Sequence, residues 1–205
     1  MKTLILTLLA AGLLCGQTPQ EKKEGFHSLF NGKNLSGWDG DPRLWKVQNG
    51  EIVGSTDGVS LDHNEFLISK KKYSDFDLRV QVKLRNHNSG IQFRSEQLPD
   101  WVCKGLQADM AGDNYWGNIY DEKGTRGTVV DGWTGKAQKV VKLGDWNDYE
   151  VICKGDFIQL KVNGLVTAEL HDIPGSPREG VIAFQLHKGP GMKVEWRDIR
   201  IKELK

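Results

Sequence analysis

The sequence lacks a charge excess of either sign. Its 28 basic and 27 acidic residues leave a formal net charge of +1, which gives no electrostatic reason to expect nucleic acid or an anionic membrane as a partner. Cysteine is scarce, with three residues in 205, and no spacing of Cys and His resembles a zinc site. The apolar run over residues 4–14 is too short to cross a bilayer. We therefore predict a chain without a nucleic-acid partner or a transmembrane segment.

The first residues have the layout of an export signal. Lys2 provides the positive start, an apolar run follows, and small residues come next. We predict a signal peptide over residues 1–16 and a linker over residues 17–24, so the protein would be exported to the periplasm or the cell surface. Lipid attachment at Cys15 is an open alternative, although Leu14 is an unusual residue before a lipidated cysteine.

Two cysteines would remain after cleavage, Cys103 and Cys153. In an oxidising compartment they could form a disulfide. Two buried thiols on separate strands explain the sequence equally well, because sequence does not give the distance between them. Both interpretations stay open at this point.

The remaining chain has the pattern of many short antiparallel strands. Asn49-Gly50 and Asn163-Gly164 each separate two apolar runs, which is a strong hairpin signal. Residues 76–84 alternate strictly between apolar and polar side chains. These features predict one all-β domain over residues 25–205, a two-sheet antiparallel jelly-roll sandwich, with a closed barrel as the alternative.

Some predicted strands have a polar face unlike a solvated surface. The polar face of residues 76–85 carries Asp, Arg, Gln and Lys, as water-facing strands do, whereas "IAFQLH" places Gln185 and His187 opposite three apolar residues. Further segments also carry side chains that donate and accept hydrogen bonds; the candidates are Asn88, Gln92, Arg94, Gln107, Asp109, Tyr120, Glu122 and Arg126.

This chemistry suits a carbohydrate. Each sugar hydroxyl both donates and accepts hydrogen bonds, and aromatic rings such as that of Trp116 stack on the apolar face of a pyranose. Taken singly, each residue is more often part of a solvated face or a structural network; Arg94, for example, could pair with Asp109. Their joint occurrence on several strands favours a carbohydrate site.

The same residues carry a family resemblance. The sequence resembles the 3-keto-disaccharide hydrolase domain family, formerly a domain of unknown function, over nearly the whole chain after the signal; the specific motifs are "LFNGKNLSGW" and "NSGI…R". The resemblance implies a concanavalin A-like fold, an exported bacterial protein and action on glycosides whose C3 hydroxyl has been oxidised to a ketone. The family's polar cluster would fall on Asn88, Arg94, Gln107, Asp109, Tyr120, Glu122, Arg126 and His187.

A ketone at C3 acidifies the proton on C2, so a base can remove that proton and expel the group at C1. We predict His187 as the base, Asp109 or Glu122 as the acid, and Arg94 with Gln107 or Tyr120 as the groups that stabilise the enolate. Gln92, Arg126, Gln185 and Trp116 complete the predicted substrate contacts. No cofactor is required by the pattern, and a divalent ion held by Asp109, Glu122 and His187 is the alternative to Arg94.

Two other functions compete with this prediction. A retaining glucanase would need two nearby carboxylates, and the sequence has no E-x-D-x-x-E run. A non-catalytic carbohydrate-binding module would use the same residue types as the enzyme. His187 separates the alternatives, because a binding module seldom needs a titrating base.

Overall fold

The computed structural model describes residues 17–171 and 176–205, and within them the chain forms two antiparallel β-sheets packed face to face. Eight strands belong to one sheet, sheet A, and seven to the other, sheet B. The predicted two-sheet sandwich is therefore confirmed. The predicted signal peptide, including Cys15, lies outside the described residues.

The strands of sheet A come from both halves of the chain. They are β1 (His27–Ser28), β3 (Trp45–Gln48), β4 (Glu51–Ser55), β6 (Phe76–Leu84), β11 (Asn147–Lys154), β12 (Phe157–Val162), β13 (Leu165–Leu170) and β15 (Lys193–Glu203). Their order is β13-β12-β11-β6-β15-β4-β3, and β1 also pairs with β15.

Sheet B contains the segments with unusual polar faces. Its strands are β2 (Trp38–Asp39), β5 (Glu65–Tyr73), β7 (Asn88–Leu98), β8 (Val102–Ala111), β9 (Ile119–Glu122), β10 (Gly127–Val130) and β14 (Gly180–Leu186). Their order, β10-β9-β8-β7-β14-β5-β2, makes β14 the neighbour of β7 although the two are far apart in sequence.

The two Asn-Gly pairs form the predicted hairpin turns. Asn49-Gly50 joins β3 to β4 and Asn163-Gly164 joins β12 to β13. All four residues have positive φ, at 54°, 78°, 49° and 81° in chain order. Tight hairpins need this left-handed backbone, which Asn and Gly adopt at the lowest cost.

The main core fills the space between the sheets. Phe184 of sheet B stacks on Trp196 of sheet A with ring centroids 4.1 Å apart, and Trp38 stacks on the same Phe184 at 5.0 Å. Phe184 and Trp196 are fully buried, and burial of such large rings is the dominant stabilising term of the sandwich.

Sheet B also has a small apolar cluster on its outer face. It is formed by Phe66, Ile68, Cys103, Val181 and Ala183, with Trp101 packed against it. The N–H of Phe66 donates to the carbonyl of Trp101 at 2.9 Å, so the tip of the β7–β8 hairpin folds over this face. The polar residues of the same face, beginning with Gln185, lie next to this covered cluster.

The two described cysteines are free thiols. Cys103 belongs to the outer-face cluster of sheet B, whereas Cys153 lies in the main core. A disulfide between them is therefore absent, and the two-thiol alternative is correct. Burial raises the pKa of the Cys153 thiol to about 12, so this thiol stays protonated.

Residues 17–24, predicted as a linker, contain the short helix α1 (Pro19–Lys23). Thr18 and Glu21 form a capping box at its start, and Glu21 bonds to Arg200 of sheet A at 2.8 Å. Between residues 17 and 205, outside the gap at 172–175, no helix has the length and apolarity needed to cross a membrane.

Candidate functional site

A polar pocket of about 280 Å³ opens on the outer face of sheet B. Side chains from five strands and their connecting loops converge there; the lining residues are Asn64, Asn88, Gln107, Asp109, Tyr115, Tyr120, Glu122, Lys123, Thr128, Gln185 and His187. The volume lies near the lower end of the range of small-molecule sites, which begins at about 300 Å³.

Strand alternation places the pocket residues. Leu106, Ala108 and Met110 of β8 face the main core, so Gln107 and Asp109 face outward. The cross-strand register sets Tyr120 opposite Gln107, and these neighbours therefore share the outer face. The alternation visible in the sequence is the cause of this part of the site.

Gly90 gives Gln107 its position. Gly90 belongs to β7 and lies opposite Asp109 of the neighbouring strand β8. A Cβ atom at Gly90 would stand 2.3 Å from the side-chain Cδ of Gln107. The Gln107 amide therefore occupies the space that a side chain at Gly90 would fill. Any larger residue at 90 would displace it.

Amide side chains form a continuous hydrogen-bonded row across the pocket floor. Gln107 donates from Nε2 to Asp109 Oδ1 at 3.2 Å and to Gln185 Oε1 at 3.3 Å. Gln185 in turn donates to Glu122 Oε2 at 3.4 Å. Two carboxylates are thus connected through two amides, without a cationic side chain in the row.

Asp109 is 5% exposed, and this burial raises the pKa of its carboxyl to about 7. Hydrogen bonds from Gln107 and the Met110 backbone oppose the shift but do not cancel it. Asp109 can therefore hold a proton near pH 7.

His187 follows β14 and is half-buried at the pocket wall. Its Nδ1 lies 2.6 Å from the carbonyl oxygen of Lys188. Because a carbonyl only accepts hydrogen bonds, Nδ1 carries the proton of the neutral ring and Nε2 keeps a lone pair. Burial lowers the pKa of His187, and neighbouring His87 lowers it further against the opposing Lys188 hydrogen bond.

Glu122 is held by amides on both oxygens. Asn64 donates to Oε1 at 3.1 Å, and Gln185 donates to Oε2. The Asn64 oxygen accepts from the backbone N–H of Lys188 at 3.0 Å, which ties the carboxylate to the turn that carries His187.

Arg94 does not reach the pocket, in contrast to its predicted role at the enolate. Its guanidinium donates to Ser74 O at 2.5 Å and Gly155 O at 2.7 Å, and pairs with Asp75 at 2.6 Å. The physical reason is an irregular register in β7 between Gln92 and Glu96, with φ of +49° at Arg94. This bulge redirects the side chain away from the pocket.

Three other predicted contacts also lie outside the pocket lining. Trp116 is 1% exposed, donates to Ala111 O at 2.6 Å and stacks on Tyr149 inside the core. Arg126 pairs with Asp121 at 2.8 Å. Asp121 lies between the pocket residues Tyr120 and Glu122 on β9, so it faces the opposite side of the strand. Gln92 is fully buried and donates to Gln107 Oε1 at 2.9 Å, so it lies behind a pocket residue.

Four lining residues are not identified by the sequence pattern: Asn64, Tyr115, Lys123 and Thr128. Tyr115 is 45% exposed with φ of +61°, which presents its ring at the pocket rim. Lys123 occupies the β9–β10 turn, also with positive φ. Except for Thr128, these residues lie outside regular strands, where a period of two gives no signal.

The residue set does not fit a resident metal ion. Within the described parts of the chain, no three His, Cys, Asp or Glu residues are grouped closely enough to hold one. The alternative of an ion held by Asp109, Glu122 and His187 is not supported by this donor geometry.

Solved structures of similar fold come from carbohydrate-related proteins. A proposed glycosyl hydrolase from Parabacteroides distasonis ATCC 8503 is 24% identical in sequence and superposes with a TM-score of 0.70. The match covers 92% of this chain and 98% of the hydrolase chain. The carbohydrate binding module CBM66 from Bacillus subtilis is 14% identical, with a TM-score of 0.60 and coverages of 80% and 94%. The Bacillus licheniformis β-glucanase is 14% identical, with a TM-score of 0.55 and coverages of 88% and 99%.

These likenesses establish the concanavalin A-like fold. No curated protein sequence matches the chain. The family model described as the 3-keto-alpha-glucoside-1,2-lyase-like domain matches residues 25–202, a range that includes nearly all of both sheets and the whole pocket. The chain therefore belongs to the 3-keto-alpha-glucoside-1,2-lyase-like domain family, a carbohydrate-active family.

Proposed function

We propose that the pocket cleaves 3-keto-glycosides by removing the proton on C2 and eliminating the group at C1. The observation that carries the proposal is the presence, in one pocket, of a histidine with a lowered pKa and a carboxyl with a pKa of about 7. Elimination needs a base and an acid that are both active near neutral pH. The family's description as a lyase that acts on 3-keto-alpha-glucosides supports the same chemistry.

The reaction breaks two bonds of the substrate. The C2–H electrons form the enolate, whose negative charge resides on the C3 oxygen. The enolate then re-forms the ketone with a C1–C2 double bond while the C1–O bond breaks. The aglycone oxygen takes a proton and leaves as an alcohol, and later addition of water to the enone gives net hydrolysis.

His187 is the proposed base. The hydrogen bond from Nδ1 to Lys188 O leaves the Nε2 lone pair available for the C2 proton. The lowered pKa keeps the ring neutral at pH 7, which is the state that can accept a proton.

Asp109 is the proposed acid. Its raised pKa lets it hold a proton near pH 7 for the departing oxygen. Glu122 is less suited to that role, because amide donors from Asn64 and Gln185 already occupy its two oxygens. We assign Glu122 to substrate orientation.

Tyr120 is the proposed donor to the enolate oxygen. Burial and the charges of Glu122 and Asp109 raise the pKa of its hydroxyl, so it remains a phenol that can donate a hydrogen bond. The amide hydrogens of Gln107 are already directed at Asp109 and Gln185. Lys123 is the cationic side chain of the pocket lining, and we assign to it the enolate-stabilising role predicted for Arg94.

The decisive experiment compares 3-keto-glucosides with the parent glucosides, with and without a chelator. We expect aglycone release from the oxidised substrates alone, and a primary kinetic isotope effect when C2 carries deuterium. Equal cleavage of the parent glucosides would contradict the proposal, because an unoxidised sugar has no acidic C2 proton.

A non-catalytic carbohydrate-binding function is the second candidate. Tyr115 offers an exposed ring at the rim above an amide-rich floor, and this combination is sufficient for binding a sugar. The likeness of fold to a carbohydrate binding module is compatible with it. Binding of a 3-keto-glucoside without turnover would favour this candidate.

We also propose export through a signal peptide over residues 1–16, with action in the periplasm or at the cell surface. The layout of Lys2 and the following apolar run supports it. Mass spectrometry of the mature N-terminus tests the cleavage near Gly16 and the alternative of lipid attachment at Cys15.

A further inference from the structure

The amide row on the pocket floor continues behind the pocket. Gln92 donates to Gln107 Oε1 at 2.9 Å, and the Ser95 hydroxyl donates to Gln92 Oε1 at 2.5 Å. Gln92 and Ser95 are 0% and 2% exposed, and neither lines the pocket.

The hydrogen bonds of this row all have the same direction. The Ser95 hydroxyl donates to Gln92 Oε1, Gln92 Nε2 donates to Gln107 Oε1, and Gln107 Nε2 donates to Asp109 Oδ1. An amide has a distinct donor end and acceptor end, so when one amide reverses, each neighbour must reverse as well or lose the hydrogen bond between them. The direction is therefore a property of the whole row.

The Ser95 end of the row favours this direction. The Ser95 hydroxyl has one hydrogen, and its shortest contact is the one with Gln92 Oε1. The Ser95 hydroxyl also lies 3.1 Å from Phe93 O and 3.4 Å from Leu106 O, and these carbonyls only accept hydrogen bonds. Without the hydroxyl, the NH₂ end of Gln92 would turn toward the carbonyls and its oxygen toward Gln107. Gln107 would then turn its own oxygen toward Asp109 and lose its hydrogen bond to Gln185, whose amide stays in place because its NH₂ group donates to Glu122.

We propose that Ser95 and Gln92 are positioning residues that fix the direction of the Gln107 amide, so that its NH₂ group faces Asp109. The proposal rests on the proposed function for its catalytic meaning, because Asp109 is the acid there. Its structural content stands without catalysis, since the direction of the row affects the protonation of Asp109 in the free protein.

The sign of the effect follows from the hydrogen bond. In the native row, the bond from Gln107 favours the ionised carboxylate of Asp109 and lowers its pKa relative to burial alone. A reversed Gln107 would present an oxygen to Asp109, which favours the protonated acid. Loss of the Ser95 hydroxyl is therefore expected to raise the pKa of Asp109.

The test is an NMR titration of the Asp109 side-chain carboxyl carbon in the substrate-free full chain. In Ser95→Ala, we expect the midpoint to rise by about one pH unit, with a change in the side-chain amide signals of Gln107. Gln92→Met, which removes the donor to Gln107, should shift the midpoint in the same direction if Ser95→Ala does not fold.

Ser89→Ala is the matched control. Ser89 lies on the same strand and is equally buried, but its hydroxyl donates to the backbone carbonyl of Gln185 at 2.8 Å and bonds to none of the side-chain amides of the row. We expect it to leave the Asp109 midpoint unchanged. An unchanged midpoint in both folded row variants, or an equal shift in the control, would overturn the proposal.

Activity measurements separate this proposal from the proposed function. If the protein turns over 3-keto-glucosides, Ser95→Ala should move the Asp109-dependent limb of the pH profile upward by the same amount as the NMR midpoint. If no 3-keto-glucoside reacts, the proposed function fails, and the titration still decides the role of Ser95 and Gln92.

Discussion

The outer faces of the two sheets are both polar, but their carboxylates have different neighbours. On sheet A, Glu195 pairs with Lys83 and Lys193, both at 2.8 Å. On sheet B, Asp109 accepts its side-chain hydrogen bond from the amide of Gln107. The carboxylate on sheet A is therefore paired with cationic side chains, whereas the carboxyl group on sheet B is hydrogen-bonded to a neutral amide.

This difference determines the protonation of each carboxyl group. Burial acts to raise the pKa of Glu195, but the hydrogen bonds from Lys193 and Lys83 outweigh it and lower the pKa. At Asp109, burial is opposed only by neutral donors, and the pKa rises to about 7. Asp109 becomes a proton donor near neutral pH because its burial is opposed only by neutral hydrogen-bond donors.

The largest effect is expected for His187→Gln, which replaces the proposed base in the pocket of sheet B with a neutral amide and so tests whether that face is catalytic. Turnover of a 3-keto-glucoside should fall by about 10²–10⁴-fold, the range typical of a general base. Affinity should change little, because glutamine retains hydrogen-bonding capacity at the pocket wall. Single-turnover kinetics and calorimetric titration measure the two quantities.

His63→Gln is the control for that substitution, because His63 bonds to Asp100 O and does not line the pocket. It should leave both quantities unchanged. Parallel loss of affinity and turnover in His187→Gln would favour the binding-module alternative.

The next largest effect is expected on stability, in Asp109→Asn. Between pH 3.8, the ordinary value, and about 7, native Asp109 holds a proton that the unfolded chain has lost. The native state therefore loses stability as pH rises through this window, by on the order of 4 kcal/mol in total. A neutral asparagine avoids this loss, so the variant should be more stable than the parent at pH 8 and similar at pH 4.

Urea unfolding at the two pH values measures this difference. Asp121→Asn is the opposite control, because its hydrogen bond with Arg126 lowers the pKa of Asp121, and its removal should cost stability at pH 8. An Asp109→Asn variant that is equally destabilised at both pH values would contradict the raised pKa.

Sequence periodicity is sufficient to predict part of the candidate site. Gln107, Asp109, Tyr120 and Gln185 lie in regular strands, where alternate residues share a face. The buried neighbours Leu106 and Phe184 fix which face points inward. For these residues, the period of two in the sequence is enough to group them correctly on one face.

The same periodicity fails where the backbone departs from a regular strand. The bulge in β7 turns Arg94 toward Asp75, and no feature of the local sequence marks that bulge. Asn64 and Lys123 reach the pocket from a loop and a turn, whose paths depend on tertiary packing. Residue type alone suggests Trp116 as a sugar contact, whereas its ring packs in the core.

The third prediction concerns Arg94. This residue belongs to sheet B, but it forms an ion pair with Asp75, as the charged residues of sheet A do with one another. Its buried guanidinium joins Ser74 O, Gly155 O and Asp75. Arg94→Met should lower the free energy of unfolding by about 3 kcal/mol, the scale of a broken buried pair. The turnover of folded protein should not change, since Arg94 does not line the pocket.

Denaturant unfolding and kinetics on the same preparation test both statements. Arg178→Met is the matched control: Arg178 is exposed and bonds to the same Gly155 carbonyl at 3.0 Å, and its loss should have little effect on stability. A selective loss of turnover in Arg94→Met would restore Arg94 to the catalytic machinery.

The smallest effect is expected at Glu21, which attaches α1 to the outer face of sheet A. Its Oε1 accepts hydrogen bonds from Arg200 at 2.8 Å and Arg79 at 3.3 Å. Glu21→Gln should reduce the free energy of unfolding by about 1 kcal/mol, the upper end for a partly solvated pair. The exposed pair of Glu203 with Lys71 supplies the control, because Glu203→Gln should have a smaller effect.

Salt separates an electrostatic cause from a packing cause. Added NaCl screens exposed charges, so the difference between the parent and Glu21→Gln should narrow as the salt concentration rises. A difference that is independent of salt would mean that Glu21 stabilises this attachment through its packing and hydrogen-bond geometry against the arginines and not through its charge, because glutamine keeps the capping box with Thr18. In that case, the ion pairs of Glu21 would not contribute to the stability of sheet A. The difference between the two sheets would then depend on Glu195 and its two lysines.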